Sequence, residues 1–150
     1  MRGRGPVVVL SALAGLFFLR VLGQALVAFM GITFLPAMPE WYSGLLPYPL
    51  LLPGQLVILA IQAKVSLDLA RGRGFFVVRR PGPGRGLQVF AAVYFLAMVL
   101  RYALTMAWYP ERRWLGTGTI PVVFHWGLAA YLFALGRFLA RAPVAERSPT

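Results

Sequence analysis

The stretch LQVFAAVYFLAMVLRYALTMAWY, residues 87–109, is a largely apolar run that contains a single charged residue, Arg101. At 1.5 Å per residue, a helix of this length crosses a hydrocarbon core of about 30 Å. Three further apolar stretches of comparable length lie in the chain, at residues 7–35, 45–70 and 120–140. The sequence therefore predicts four membrane-spanning helices.

The composition excludes an ordinary soluble domain. Hydrophobic residues make up 59% of the sequence, charged residues make up 13%, and the mean hydropathy is +0.72. Soluble domains are about 45–50% apolar and about 25% charged, and a chain of 150 residues has too little interior to bury so much apolar surface. We therefore expect an integral membrane protein with one transmembrane domain, residues 1–150.

The predicted fold is all-α. It is an integral membrane four-helix bundle of antiparallel, up-down helices. The third and fourth helices are joined by a short connection, so they are expected to be antiparallel neighbours. The helices are expected at about residues 7–33, 53–70, 87–109 and 120–140.

Two connections have distinctive compositions. Residues 36–52 are rich in Pro, Trp and Tyr, which is typical of a loop at the membrane–water boundary. Within them, residues 45–52 are expected to form a short interfacial or re-entrant segment, and Pro53 is expected to be the first residue of the second helix. Residues 71–86 have the sequence RGRGFFVVRRPGPGRG, whose Gly and Pro residues indicate a basic loop rather than a regular helix.

Basic residues are distributed unevenly outside the four apolar stretches. Ten lie in the N-terminal tail, in the 71–86 loop, and in the end of the fourth helix with its tail, whereas the third connection has only Arg112 and Arg113. The positive-inside rule then predicts that both termini are cytoplasmic (N-in/C-in) and that the 36–52 loop is outside. The expected location is the bacterial inner membrane.

The basic loop allows two interpretations. In the first, a hairpin lies on an anionic leaflet with Phe75 and Phe76 inserted and its arginines on lipid headgroups, where each basic residue contributes about 1 kcal/mol. In the second, which we favour, the loop only fixes the orientation of the chain. The candidate headgroup-binding residues are Arg71, Arg73, Arg79, Arg80 and Arg85.

Polar residues at membrane depth indicate where a function is expected, since inserting an ionisable group there costs about 2.5–3.5 kcal/mol. At 1.5 Å per residue, Arg101 and His125 both fall about 8–10 Å below the predicted outer boundary. We therefore predict that they share an outward-facing pocket, with Arg20 deeper. The candidate ligand-binding residues are Arg101, His125, Arg20, Gln24, Tyr102, Thr105 and Trp126.

A purely structural role is the alternative for these residues. Arg20 and Arg101 would then be satisfied by glutamine side chains, helix carbonyls or an acid, and His125 would be an ordinary interface histidine. Each residue alone favours this interpretation. Taken together, the residues favour a functional site. The two guanidinium groups have no acidic residue at matching depth, and an unpaired buried charge is costly. A bound anionic headgroup or a partner subunit would neutralise them.

The residue content excludes several kinds of chemistry. The chain has no Cys, which excludes disulfides, iron–sulfur clusters and thiolate metal sites, and its single His excludes a bis-His haem within one chain. The motifs H-E-x-x-H and G-x-S-x-G do not occur. We expect no metal and no cofactor. The expected partners are membrane lipids and, in a homo-oligomer or complex, other membrane-protein helices, but not nucleic acid, because the charges flank apolar spans.

Three functions remain open. We favour a non-enzymatic binding or accessory protein that holds a lipid-like ligand or partner helices in an outward-facing cleft. The second is an enzyme acting on a lipid-linked anionic substrate, with His125 as general acid or base and Arg101 as anion clamp. The absence of a second plausible catalytic group counts against it. The third is an oligomeric transporter or channel.

Overall fold

The computed structural model describes residues 4–41, 47–109 and 119–141, and within them every regular element is an α-helix. Four helices are long and apolar enough to cross a membrane, as the sequence predicts, and the all-α prediction is confirmed. A fifth helix, α2, is a single turn. The elements are α1 (Arg4–Met30), α2 (Met38–Trp41), α3 (Tyr48–Arg71), α4 (Pro81–Trp108) and α5 (Thr119–Ala140).

The start of α3 differs from the prediction. The helix begins at Tyr48 instead of Pro53, so residues 48–52 are part of the long helix and not a separate re-entrant segment. Pro49 lies in the first turn, where backbone N–H groups have no intrahelical acceptor and a missing donor costs nothing. Pro53 lies inside the helix and leaves the Pro49 carbonyl without its usual donor. Membrane helices tolerate such a proline because other groups can satisfy the carbonyl.

The start of α4 also differs from the prediction. This helix begins at Pro81, so the segment Pro81–Gly86 is helical and only residues 72–80 remain as a loop. Proline suits the first position of a helix, since its fixed φ is already helical and its missing N–H would be unpaired there in any case.

The end of α1 differs slightly from the prediction. The helix stops at Met30, three residues before the predicted residue 33.

The helices pack in the spatial order α3–α1–α5–α4. Helix α5 packs closely on α4 and on α1, and α1 packs on α3, whereas the backbones of α3 and α5 do not approach each other. Side chains from opposite ends of these helices meet in one buried cluster, which shows that α1 is antiparallel to both α3 and α5. We call this group the apolar cluster; it contains Leu10, Val65, Leu69, Tyr131, Leu135, Phe138 and Leu139.

The two ends of the molecule differ in composition and packing. The apolar cluster lies at the end that carries the loop 72–80, which we call the basic end. The opposite end carries α2 and the start of α3, with Trp41 and Tyr48, and we call it the aromatic end. At the basic end the loop is fixed to α3, because the Asp68 carboxylate accepts hydrogen bonds from Lys64 Nζ (2.5 Å) and from the Phe76 backbone N–H (3.3 Å).

Helix α4 is attached to the rest of the structure on one side only. Gly84 and Ala91 are its only fully buried residues, while large side chains such as Val89 and Leu96 are about two-thirds exposed. The exposed surface is apolar, as expected for a helix that faces lipid, because lipid tails are as apolar as these side chains. Its buried side lies against α5, where Gly84 meets the α5 backbone.

We predict that Gly84→Ala destabilises the α4–α5 contact. A Cβ atom at Gly84 would lie 2.5 Å from the Ala140 backbone nitrogen and 2.8 Å from the Gly136 carbonyl oxygen, and neither backbone atom can rotate away. We expect the free energy of unfolding in detergent micelles to fall by about 1–3 kcal/mol, the usual cost of overpacking. The matched control is Gly86→Ala, two residues along α4, where a Cβ meets nothing within 4 Å. Equal unfolding midpoints for the two variants would contradict the packing described here.

Candidate functional site

A cavity of about 210 Å³ lies among α1, α3 and α5, toward the aromatic end. Helix α1 forms its back, and α3 and α5 form its sides. Side chains from both α3 and α5 line the cavity, although the backbones of these two helices do not approach each other. Its polar lining residues are Arg20, Gln55 and His125, one from each helix. Its apolar walls include Phe17, Leu50, Leu51, Ile58, Phe124 and Leu128.

Arg20 is the charged residue of this cavity, and its side chain is only 7% exposed. One guanidinium nitrogen, Nη2, donates to the Trp41 carbonyl oxygen at 3.0 Å, and the group lies 5.5 Å from the centre of the Phe124 ring. Its Nε atom is buried without a hydrogen-bond partner among the described residues. Among the described residues the one ion pair joins Lys64 to Asp68. No carboxylate of those residues therefore forms an ion pair with Arg20.

Helix α2 positions the acceptor of Arg20. The Trp41 side chain is buried, its indole Nε1 donates to the Pro36 carbonyl oxygen at 2.7 Å, and its ring lies against Gly23 of α1. A Cβ atom at Gly23 would lie 2.7 Å from the ring, so only glycine permits this approach. The packing of one ring on one glycine thus holds the Trp41 carbonyl over the guanidinium group.

A pair of glutamines joins α1 to α3 beside Arg20. Gln55 Nε2 donates to Gln24 Oε1 at 3.0 Å, and both side chains are almost completely buried. The remaining atoms of the pair, Gln24 Nε2 and Gln55 Oε1, have no partner among the described residues. Buried amides are normally fully hydrogen-bonded. The pair therefore offers one spare donor and one spare acceptor next to the cavity.

His125 links the cavity to α4. Its Nδ1 atom forms a hydrogen bond with the Tyr94 hydroxyl, and the two rings are perpendicular with centroids 5.8 Å apart. Because a phenol donates readily to a neutral imidazole, we expect the ring proton to lie on Nε2. His125 would then present an N–H donor to the cavity. The positive charges of Arg20 and Arg101 both lie within electrostatic range of this ring.

The structure separates the predicted site residues into two groups. Arg20 and His125 line the cavity, and Gln24 is bonded to the cavity residue Gln55. The other four are not among its lining residues. The half-buried Arg101 lies on α4, and its backbone carbonyl accepts a hydrogen bond from the Thr105 hydroxyl at 2.9 Å. The rings of Tyr102 and Trp126 meet between α4 and α5, with centroids 5.8 Å apart.

A second cavity of about 230 Å³ lies between α4 and α5 and is almost entirely apolar. Trp126 and Phe95 line it with their rings 6.0 Å apart, together with small residues such as Ala91 and Ala129. The predicted candidates Tyr102 and Trp126 thus belong to an aromatic contact beside this apolar space, on the far side of α5 from Arg20.

Two residues of the first cavity site were not among the predicted candidates. Tyr94 lies two helical turns before Arg101 on the same face of α4, so the spacing of seven residues was a usable signal. Gln55 shares one face of α3 with Gln62, and a polar stripe in an apolar helix marks the side that faces protein.

Two of the five candidate headgroup arginines contact α5, Arg79 through its guanidinium and Arg80 through its backbone N–H. The Arg79 guanidinium donates to the Phe138 carbonyl oxygen and lies 3.6 Å from the centre of that ring. Burial, together with the nearby charge of Arg141, lowers the pKa of Arg79. The Arg80 backbone N–H donates to the Leu139 carbonyl oxygen at 3.0 Å. These contacts satisfy carbonyls in the last turn of α5, which lack intrahelical donors.

The remaining members of that set, Arg71, Arg73 and Arg85, are exposed. The Arg80 guanidinium lies 3.7 Å from the centre of the Phe75 ring. The 72–80 loop is therefore an ordered cap on the ends of α3 and α5, and the three exposed arginines are the ones that remain free to meet lipid headgroups.

No protein-family model, curated protein or solved structure matches this chain. In the part of the chain that the structure describes, no group of three His, Asp or Glu side chains could hold a metal ion. The structural features that bear on function are the two cavities and, among the described residues, the unpaired polar atoms around the first.

We predict that Tyr94→Phe changes the protonation pattern of the imidazole. His125 is the only histidine in the chain, so its two ring nitrogens can be observed without overlap by nitrogen-15 NMR. In the wild type we expect an unprotonated, hydrogen-bonded Nδ1 and a protonated Nε2. Loss of the Tyr94 hydroxyl removes the preference for that tautomer, so the nitrogen-15 chemical shifts of both ring nitrogens should change.

The control for this experiment is Tyr102→Phe. Tyr102 lies two turns further along α4 and contacts the Trp126 ring instead of the imidazole. Its hydroxyl should have no effect on either nitrogen. Equal spectra for Tyr94→Phe and the wild type would show that the Tyr94–His125 bond does not form.

Proposed function

We propose that this protein is a membrane-embedded binding protein whose cavity among α1, α3 and α5 holds the polar head of a lipid-like molecule. The observation that supports this most directly is Arg20, a buried guanidinium with one hydrogen bond and no carboxylate partner among the described residues. A buried charge of this kind is costly unless it is paired. A ligand that carries an anionic or acceptor-rich head would supply the missing partner.

The spare hydrogen-bonding atoms favour an acceptor-rich head. Arg20 Nε and Gln24 Nε2 are donors with no partner among the described residues, and His125 adds a third donor if its proton lies on Nε2. A carboxylate or phosphate oxygen accepts hydrogen bonds from each of these groups, and bonds between charged groups are about twice as strong as neutral ones. Gln55 Oε1, the one spare acceptor, suits a hydroxyl on the same ligand.

The size and walls of the cavity favour an amphiphile over a small soluble anion. At about 210 Å³ the space is below the roughly 300–1,000 Å³ of pockets that enclose a whole ligand. Apart from its few polar residues the lining is apolar, and α3 and α5, which both line it, are apolar enough to cross a membrane. The head would therefore occupy the cavity while an acyl or isoprenoid-like tail leaves between α3 and α5 into the bilayer.

The uneven distribution of charge supports an orientation for the molecule. The basic end carries the exposed Arg71, Arg73 and Arg85, whereas the aromatic end carries Trp41 and Tyr48. Under the positive-inside rule the basic end is cytoplasmic and the cavity opens in the outer leaflet. The bacterial inner membrane is the location we propose on this basis.

An enzyme is the second candidate, and the Tyr94–His125 bond supports it. A histidine held in one tautomer beside an arginine can transfer a proton while the arginine stabilises negative charge. The Tyr94 hydroxyl is the only further acid–base group bonded to the ring among the described residues. This candidate would replace the first if a lipid-linked substrate were consumed by the wild type and only bound by His125→Ala.

We predict that Gly54→Leu abolishes ligand binding while leaving the fold intact. Gly54 lines the cavity, and a Cβ atom at this position meets nothing within 4 Å, so a leucine fills the space without displacing backbone. Lipids that co-purify with the wild type in mild detergent, identified by mass spectrometry, should be lost from this variant. The matched control is Gly15→Leu on α1, which is equally open but lies outside the cavity, and it should retain them.

Arg20→Gln removes the positive charge of the guanidinium without filling the cavity. We expect this variant to lose anionic lipids but to keep any neutral lipid bound between α3 and α5. If neither Gly54→Leu nor Arg20→Gln changes the bound lipids relative to Gly15→Leu, Arg20 has only a structural role and the proposed function fails.

We predict opposite labelling of cysteines placed at the two ends. The chain has no native Cys, so single substitutions have no background. Phe34→Cys at the aromatic end replaces a side chain that is 84% exposed, and Val78→Cys at the basic end replaces one that is 55% exposed. In intact cells a membrane-impermeant thiol reagent should label only the first, and permeabilised cells should show both. The reverse pattern would overturn the proposed orientation.

A further inference from the structure

Two buried polar side chains lie beyond the cavity, on the side of the basic end. Gln62 of α3 is 2% exposed, and neither its Nε2 nor its Oε1 atom has a hydrogen-bond partner among the described residues. Tyr131 of α5 is also 2% exposed, and its hydroxyl likewise has no partner there. Native proteins contain few such groups, and each one indicates a missing partner.

Both residues are one helical turn from the floor of the cavity. Ile58 and Leu128 are the cavity-lining residues of α3 and α5 that lie nearest the basic end. Gln62 follows Ile58 by four positions and Tyr131 follows Leu128 by three, so each lies on the same helix face, about 5 Å deeper. Val65, one turn beyond Gln62, belongs with Tyr131 to the apolar cluster.

The chemistry of these groups favours a small neutral partner. An amide offers two donors and an acceptor, and a hydroxyl can both donate and accept. An anion only accepts hydrogen bonds, so it would leave Gln62 Oε1 unpaired, and no cation is needed because neither residue carries a charge. Water donates and accepts, and buried waters bind where two to four polar groups are available.

We propose that Gln62 and Tyr131 form an internal water site that continues the cavity into a hydrated vestibule. Together with the Gln24–Gln55 pair and Arg20, this site gives a line of polar groups from the aromatic end to the middle of α3 and α5. Beyond it, Leu10, Val65 and Leu69 close the path with apolar side chains. The line of polar groups therefore ends at the apolar cluster, so water can reach Gln62 and Tyr131 only through the cavity, and the site requires no particular ligand there.

The first test observes water in the unaltered protein. Nitrogen-15 NMR of the wild type in nanodiscs records the side-chain NH₂ protons of Gln62, and Gln62→Met identifies those signals by removing them. The proposal predicts a cross-relaxation peak between these protons and water. Signals that are protected from exchange and show no water peak would overturn it.

The second test measures access in the cysteine-free chain. Gln62→Cys is compared with Val65→Cys, a site that is 0% exposed, one turn closer to the basic end and inside the apolar cluster. Because only a hydrated thiolate reacts, a small hydrophilic thiol reagent should modify Gln62→Cys at least ~10-fold faster than Val65→Cys. If both cysteines react equally slowly, water does not reach Gln62. If both react equally fast, the apolar cluster does not close the path.

Discussion

A charged guanidinium inside a membrane helix must be hydrogen-bonded, and the aromatic end of this molecule is arranged around that requirement. Arg20 receives its acceptor from Trp41, whose position depends on the short helix α2 and on close contact with Gly23. Gln24, one turn further along α1, accepts a hydrogen bond from Gln55 of α3. Replacing Arg20 by an apolar residue would leave the Trp41 carbonyl without its guanidinium donor, so the charge helps to determine the local architecture.

The sequence predicted the four helices and the pairing of the last two, but not the rotation of each helix about its axis. Length and hydropathy located all four spans, but Gly and Pro at residues 81–86 indicated a loop, because single-residue preferences do not distinguish a first helical turn from a loop. Spacing placed Arg101 and His125 at one depth. It could not say which way each helix is rotated. In the structure the predicted Arg20 and His125 line one cavity, Arg101 is not among its lining residues, and Tyr94 is hydrogen-bonded to the histidine ring. Helix rotation depends on crossing contacts such as Gly84 with Ala140, which no single-helix pattern contains.

The two halves of the molecule differ in how completely their polar groups are satisfied. At the basic end, Arg79 and Arg80 bond to the last carbonyls of α5, Asp68 holds the loop, and the interior is filled by the apolar cluster. Toward the aromatic end, the buried Arg20, Gln24 and Gln55 side chains around the cavity each keep a polar atom that has no partner among the described residues. The filled half gives the cavity a packed support, and pockets of this kind are usually largely pre-formed.

The central position of α5 has a consequence for biosynthesis. The helix that packs on both α1 and α4 is the fourth of the four spans to be translated, so the earlier three enter the membrane before their common neighbour exists. Each is apolar enough to be stable alone in lipid, and side-by-side association is a later step. Until α5 emerges, Arg20 lacks the Phe124 ring beside it. The cavity, which α5 lines with Phe124 and His125, can therefore form only after this last helix has been inserted.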